Sequence, residues 1–179
     1  MHLAARSVAE SECEAIVAAG VSMSVGMGAY LAFAAARMLS MDGRCKTLDA
    51  AADGYGRGEC CGVIHAGDGT EGEAASQYIS GAAALLIGSA VNQDGRSSSL
   101  TAPNGPSQQA LMVQTLRVAR TEAGRVGQLE MHGTGTSLGD PIEVGAATAV
   151  FRGGGGEVIA DAFALETAKS RVGHCEMGA

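Results

Sequence analysis

Residues Leu129–Glu143 read LEMHGTGTSLGDPIE. The segment VGQLEMH, Val126 to His132, has the make-up of a short strand, and the Gly-Thr run after it is a polar loop. A helix is expected to begin at Asp140-Pro141, because proline suits the first helical turn, where its missing N–H is not needed. One histidine, His132, therefore stands at a strand-to-loop junction. Two chemistries fit that position. A glycine-rich loop ahead of a helix can cradle a phosphate, and an imidazole can manage charge on a reacting oxygen.

On the N-terminal side of this stretch, PSQQALMVQTLRVARTEAG (106–124) reads as a helix. Ser107 is its expected N-cap, Leu111, Thr115 and Val118 share a face, and Gly124 is the expected stop. Before it, GAAALLIGSAV (81–91) reads as a buried strand ending in a polar loop from Asn92 to Asn104. The N-terminal third predicts a helix at His2–Ala9, a strand at Ala15–Val25, a helix at Tyr30–Ser40 and a turn at Asp42-Gly43. A glycine-rich loop then leads into a strand at Cys60–His65. On the C-terminal side, EVIADAF (157–163) reads as a strand and KSRVGHCEMGA as a polar loop with a possible helix start. Strands alternating with helices predict an α/β fold with a mainly parallel sheet.

Composition narrows the function. The 179 residues are 46% hydrophobic and 17% charged, the profile of a globular chain. A net charge of −7 argues against a general nucleic-acid surface, which needs clustered Lys and Arg. No apolar run is long enough to span a bilayer. The five cysteines are odd in number and include no Cys-x-x-Cys pair, which fits free thiols in a reducing compartment such as the cytoplasm. Their spacing supports no metal site.

In open α/β sheets, sites gather where strands end at their carboxyl side. Three polar loops are candidates: 92–104, 132–140 and 169–176. For the phosphate chemistry, GTGTSLG resembles a dinucleotide fingerprint, and Asp161 falls near the place of a ribose-binding carboxylate. However, the third glycine comes one position late. For the charge-handling chemistry, His132 and His174 each follow a strand-like segment and lie beside a glycine. Lys169 could tune their protonation, and Asp140 and Glu143 could answer the lysine's charge. Each histidine could also be no more than a satisfied polar residue in a loop.

HGTGTSLGDPIEV (132–144) with KSRVGHCE (169–176) closely resembles the β-ketoacyl synthase, or ketosynthase, domain. SAVNQDGRSSSLTAPNGPSQ (89–108) and ARMLSMDGRCKTLDAAADGYGRGECCGV (36–63) are similar to the version in modular type I polyketide synthases. The resemblance covers nearly the whole chain. It implies a partial thiolase-like layered α/β fold, with about 1–104 ending one half and about 105–179 beginning the second.

It also implies an acyltransferase that grows a chain by decarboxylative Claisen condensation, in polyketide or fatty acid biosynthesis. His132 and His174 would be catalytic and Lys169 would support them. Glu143 would pair with the lysine, Asp140 would fix the loop, and Thr134 and Thr136 would bind the phosphopantetheine arm. No cofactor is expected on the domain itself, since that arm arrives on acyl carrier protein, the expected partner. The family works as a homodimer.

The nucleophilic cysteine lies in a motif that this sequence does not contain, and MHLAARS resembles the helix just after it. An internal fragment is therefore expected. Cys61 matches a structural core residue of the family, Cys60 replaces a glycine and Cys175 a small polar residue. Arg171 stands where the family has asparagine, and Met177 where it has alanine. Two other readings remain: a non-catalytic remnant that keeps a dimer scaffold, and a nucleotide-binding α/β module.

Overall fold

The computed structural model describes residues 1–68, 84–95, 102–152 and 163–176. The elements are α1 (His2–Ala9), β1 (Ala15–Ser22), α2 (Met27–Ala35), β2 (Cys60–Gly67) and α3 (Gly105–Val118). After a 3-10 turn at Ala123–Arg125 come β3 (Gln128–Glu130), α4 (Gly139–Phe151), β4 (Ala164–Glu166) and the single-turn α5 (Lys169–Val172).

β1 and β2 pair antiparallel from Ala15↔Gly67 to Ser22↔Cys60. β3 and β4 pair parallel through Leu129↔Leu165. The expected parallel pairing therefore holds for the short C-terminal pair, while the longer N-terminal pair runs the other way. Antiparallel partners share a face, so Val17, Ala19 and Val21 lie with His65, Val63 and Cys61. Val17, Val21 and Val63 on this face are all at least 60% exposed. α1 packs against β1.

The 84–91 stretch is not the buried strand its apolar run suggests. Among its described residues there is no regular secondary structure, and Leu85, Leu86, Ile87 and Val91 are exposed. Periodicity marks apolar residues but does not supply a neighbouring strand to pair with. The strand expected at 157–163 lies outside the described residues up to 162, and β4 begins at Ala164.

Helix ends also differ from expectation. Asn104, not Ser107, caps α3: its side-chain oxygen accepts the Ser107 amide at 3.2 Å. The helix ends at Val118, with Arg120 in the left-handed region (φ 49°) and Thr121 N donating back to Leu116 O at 3.0 Å. That six-residue closure ends helices by satisfying orphan carbonyls. Here an arginine takes the glycine's usual place, so Gly124 falls beyond the helix in the 3-10 turn.

α3 packs on α4, and Phe151 at the end of α4 stacks on Phe163 with ring centroids 4.9 Å apart. Met131, Ala146 and Ala147 are nearly inaccessible. The strip 54–58 joins the two parts of the molecule. It bridges Leu39 through Tyr55 and His174 through Arg57, with Tyr55 N donating to Met38 O (3.1 Å) and His174 N to Gly56 O (2.7 Å). A Cβ at Gly56 would collide with the Gly43 carbonyl, so this close crossing needs glycine.

Candidate active site

The Gly-Thr loop after β3 is held by two carboxylates from α4. Glu143 accepts the amide of His132 (2.6 Å) with one oxygen and that of Gly133 (3.0 Å) with the other. Asp140, only 4% exposed, accepts the amides of Gly135 (3.1 Å) and Leu48 (2.9 Å). Thr47 Oγ1 donates to Gly133 O at 2.6 Å. Gly135 has φ 77°, and a Cβ there would sit 2.5 Å from Lys46 N. The loop amides that a pyrophosphate would need are thus already taken by negative charges. This disfavours the dinucleotide alternative, whose other residue, Asp161, lies outside the described residues. Asp140 ties the loop to the 46–49 segment through the Gly135 and Leu48 amides.

Glu143, by contrast, does not pair with Lys169. None of the ion pairs among the described residues includes Lys169. The two backbone amides occupy both carboxylate oxygens instead. Glu143 still acts on His132 through space, favouring its charged form.

The folding of the 169–176 loop brings His174 to His132. Their rings meet edge to face, with centroids 5.2 Å apart at 89°. His132 lies on the exposed rim of a cleft and His174 is half-buried. Surrounding protein lowers both side chains below the ordinary histidine value. Burial is the main cause in each case; Lys169 adds to it at His132, and His132 and then Lys169 add to it at His174. Although His132 stands at a rim, Lys169 acts in the same direction as the partial burial, so the lowering does not rest on burial alone. Near neutral pH both imidazoles are therefore uncharged. The amide of Glu176 donates to His174 Nδ1 at 3.2 Å. A ring nitrogen that accepts a hydrogen bond carries no proton, so the proton of His174 sits on Nε2.

The cleft has a volume of 290 Å³ and is lined in part by His132, Thr134, Glu143, Asp94, Pro103 and Gln108. Thr134 is buried there. Thr136 is absent from that lining, and its hydroxyl accepts the Gly139 amide at 3.0 Å, just ahead of α4. Gln108 Oε1 is buried without a hydrogen-bond partner. Gln108, Thr47, Tyr55, Arg57 and Glu176 were not among the candidate residues. All five lie in the 36–63, 89–108 and 169–176 stretches quoted above, but the partners they meet are distant in sequence.

Among the cysteines, Cys61 is exposed rather than a core residue, and Cys60 is half-buried. Burial and the neighbouring Cys60 push the Cys175 thiol up, and burial does the same at Cys45. Raised thiols are poor nucleophiles at neutral pH. Arg171 is exposed, and Met177 lies outside the described residues.

The chain as a whole has relatives. The β-ketoacyl synthase N-terminal domain profile matches residues 1–65, and the C-terminal domain profile matches 83–179. The chain belongs to the β-ketoacyl synthase family. It is 41% identical over all 179 residues to polyketide synthase GfsA of Streptomyces halstedii, of which it covers 2%. It is also 41% identical over 179 residues to erythronolide synthase EryA3 of Saccharopolyspora erythraea, covering 6%. The solved oxazolomycin ketosynthase domain of Streptomyces albus JA3453 superposes with a TM-score of 0.87 at 32% identity, over 99% of this chain and 30% of that one. The thiolase-like α/β fold of this ketosynthase segment follows from those matches. No helix among the described residues is long and apolar enough to cross a membrane.

Proposed function

We propose that this chain supplies the histidine side of a polyketide ketosynthase active site. In this reading the structural halves divide near residue 104, just ahead of α3. The reaction is decarboxylative Claisen condensation. The C–C bond to the malonyl carboxylate breaks, carbon dioxide leaves, and its electron pair becomes the enolate of a thioester. The enolate carbon attacks an acyl thioester on a cysteine that lies outside these 179 residues, forming a C–C bond and expelling the cysteine thiolate.

His132 and His174 donate N–H groups to the enolate oxygen. Such preorganised donors are stronger where charge develops than in the ground state. Burial, with Lys169 adding to it, keeps both rings neutral, so that each donates an N–H without carrying a charge. Thr134 faces the arriving pantetheine arm of an acyl carrier protein, and Thr136 shapes the loop. The complete domain works as a homodimer in a reducing compartment.

The observation that carries this reading is the edge-to-face pair of neutral histidines, one with its Nδ1 already occupied by an amide. The test is carbon dioxide release from malonyl-carrier protein by a complete ketosynthase that carries this chain. His132→Ala and His174→Ala should each slow it about 10²- to 10³-fold. Release at the parent rate in both variants rejects the assignment.

A further inference from the structure

Glu176 has φ 49°, a left-handed conformation that a residue with a Cβ rarely adopts. Its amide donates to His174 Nδ1, two residues earlier, while the left-handed φ turns its side chain back toward the 54–58 strip. Something must hold it there. Tyr55 OH donates to Glu176 Oε1 at 3.4 Å, and burial together with the Glu176 charge keeps the phenol protonated as a donor. Arg57 Nη1 lies 3.2 Å from the same oxygen, with its side chain only 7% exposed. That nitrogen does not aim an N–H at the carboxylate, and neither it nor Nε has a hydrogen-bond partner. The Arg57–Glu176 contact is therefore an attraction of charges rather than a directed bond.

The guanidinium is fixed from other sides. It stacks over Tyr30 (4.8 Å) and Phe33 (5.2 Å), and Nη2 donates to Ser24 Oγ at 3.3 Å. The backbone of the same strip pairs with His174 on both sides: His174 N donates to Gly56 O, and Gly58 N donates to His174 O at 2.9 Å. The Tyr55 ring meets the His174 ring edge to face at 5.2 Å.

From these contacts we infer that Arg57 and Tyr55 clamp the Glu176 carboxylate in its strained turn and so hold its amide on His174 Nδ1, which fixes the tautomer and orientation of His174. They act as positioning residues, through Glu176, and do not touch substrate. The inference rests on His174 being the donor assigned above, but it can fail separately. Without the clamp, a residue with a Cβ should leave the left-handed turn, and its preference for that turn should fall roughly tenfold. Glycine meets no such penalty.

The test uses a complete ketosynthase carrying this chain, labelled with nitrogen-15 in its histidine rings. Magic-angle-spinning spectra report the protonation and hydrogen bonding of each ring nitrogen, with His174 assigned from a His174→Gln variant. In the parent, His174 should be a single tautomer with a hydrogen-bonded Nδ1. Arg57→Met should give mixed tautomers and slow malonyl decarboxylation roughly tenfold in kcat, with little change in KM. Arg57→Met combined with Glu176→Gly should restore both, because glycine takes the turn without a clamp. Should Arg57→Met fail to fold, the isosteric Glu176→Gln should show the same shift in milder form.

An unchanged His174 spectrum in Arg57→Met or Glu176→Gln overturns the inference, and so does failure of the glycine rescue in a folded double variant. If the ring spectra change and recover while decarboxylation stays constant throughout, the clamp stands and the catalytic role of His174 falls.

Discussion

The His132 and His174 rings stand perpendicular, 5.2 Å apart, on two loops joined to the same parallel pair of strands. β3 leads into the first loop and β4 into the second, so the pairing Leu129↔Leu165 sets how the rings meet. Anything that loosens either loop should separate the rings before it melts the fold.

Glu143 is the first such point. Its two oxygens hold the amides of His132 and Gly133. Hydrogen bonds to a charged acceptor contribute about 1.5–3 kcal/mol each when protected, and less on an exposed rim. Glu143→Ala should destabilise the chain by about 2 kcal/mol in urea unfolding followed by circular dichroism. A loss below about 0.5 kcal/mol, the size of an ordinary surface substitution, would show that the loop holds itself.

Asp140 presents a sharper case, because it is buried and accepts from both Gly135 and Leu48. Asp140→Asn keeps the shape but turns one acceptor into a donor facing an N–H. The expected loss is about 1–3 kcal/mol, with greater protease sensitivity in the 46–49 segment. Unchanged unfolding and unchanged proteolysis would contradict this geometry.

Acid should weaken this region. Both histidines have native values below the ordinary 6.5, so the unfolded chain binds protons more readily than the native one. Their contribution is fully present above about 6.5. It is lost as pH falls from there through the lowered native values. Protonating His174 also forces Nδ1 to give up the Glu176 amide. Melting temperature measured against pH should therefore drop over that window, and His132→Gln with His174→Gln should flatten the drop. An unflattened curve places the acid sensitivity elsewhere.

Much of this site could be read from the sequence because its parts are local. His132, the glycines beside it, Asp140 and Pro141 sit within one strand–loop–helix unit, and the helix start fell where proline suggested. The rest depends on partners far along the chain. Arg57 meets His174 across a parallel bridge that no periodicity encodes. Glu143 was expected to answer the charge of Lys169, yet two backbone amides take its oxygens, because local geometry brings them nearer. The ends of α2 and α3 misled for a different reason: Arg37 and Arg120 occupy left-handed positions where glycine is the usual signal. The 81–91 run reads as a buried strand from its apolar residues, but burial requires a neighbour, and Leu85, Leu86, Ile87 and Val91 are exposed.

That exposure has a consequence. Val17, Val21 and Val63 on one sheet face, with Leu85, Leu86 and Ile87, present apolar surface that favours association. The 179-residue chain should scatter light and bind a hydrophobic dye as its concentration rises. Val63→Lys with Leu86→Lys should reduce both signals. A monodisperse parent chain that binds no dye would contradict this expectation.

The most direct measurement compares two half-reactions in a complete ketosynthase that carries this chain. One is transfer of a radiolabelled acyl group from carrier protein to the enzyme's cysteine; the other is carbon dioxide release from malonyl-carrier protein. If His132 and His174 serve the enolate oxygen, alanine at either position should leave acyl transfer nearly intact and slow carbon dioxide release about 10²- to 10³-fold. Lys169→Ala should slow release to a smaller degree. Carbon dioxide released at the parent rate by both histidine variants would make these two loops structural and contradict the account.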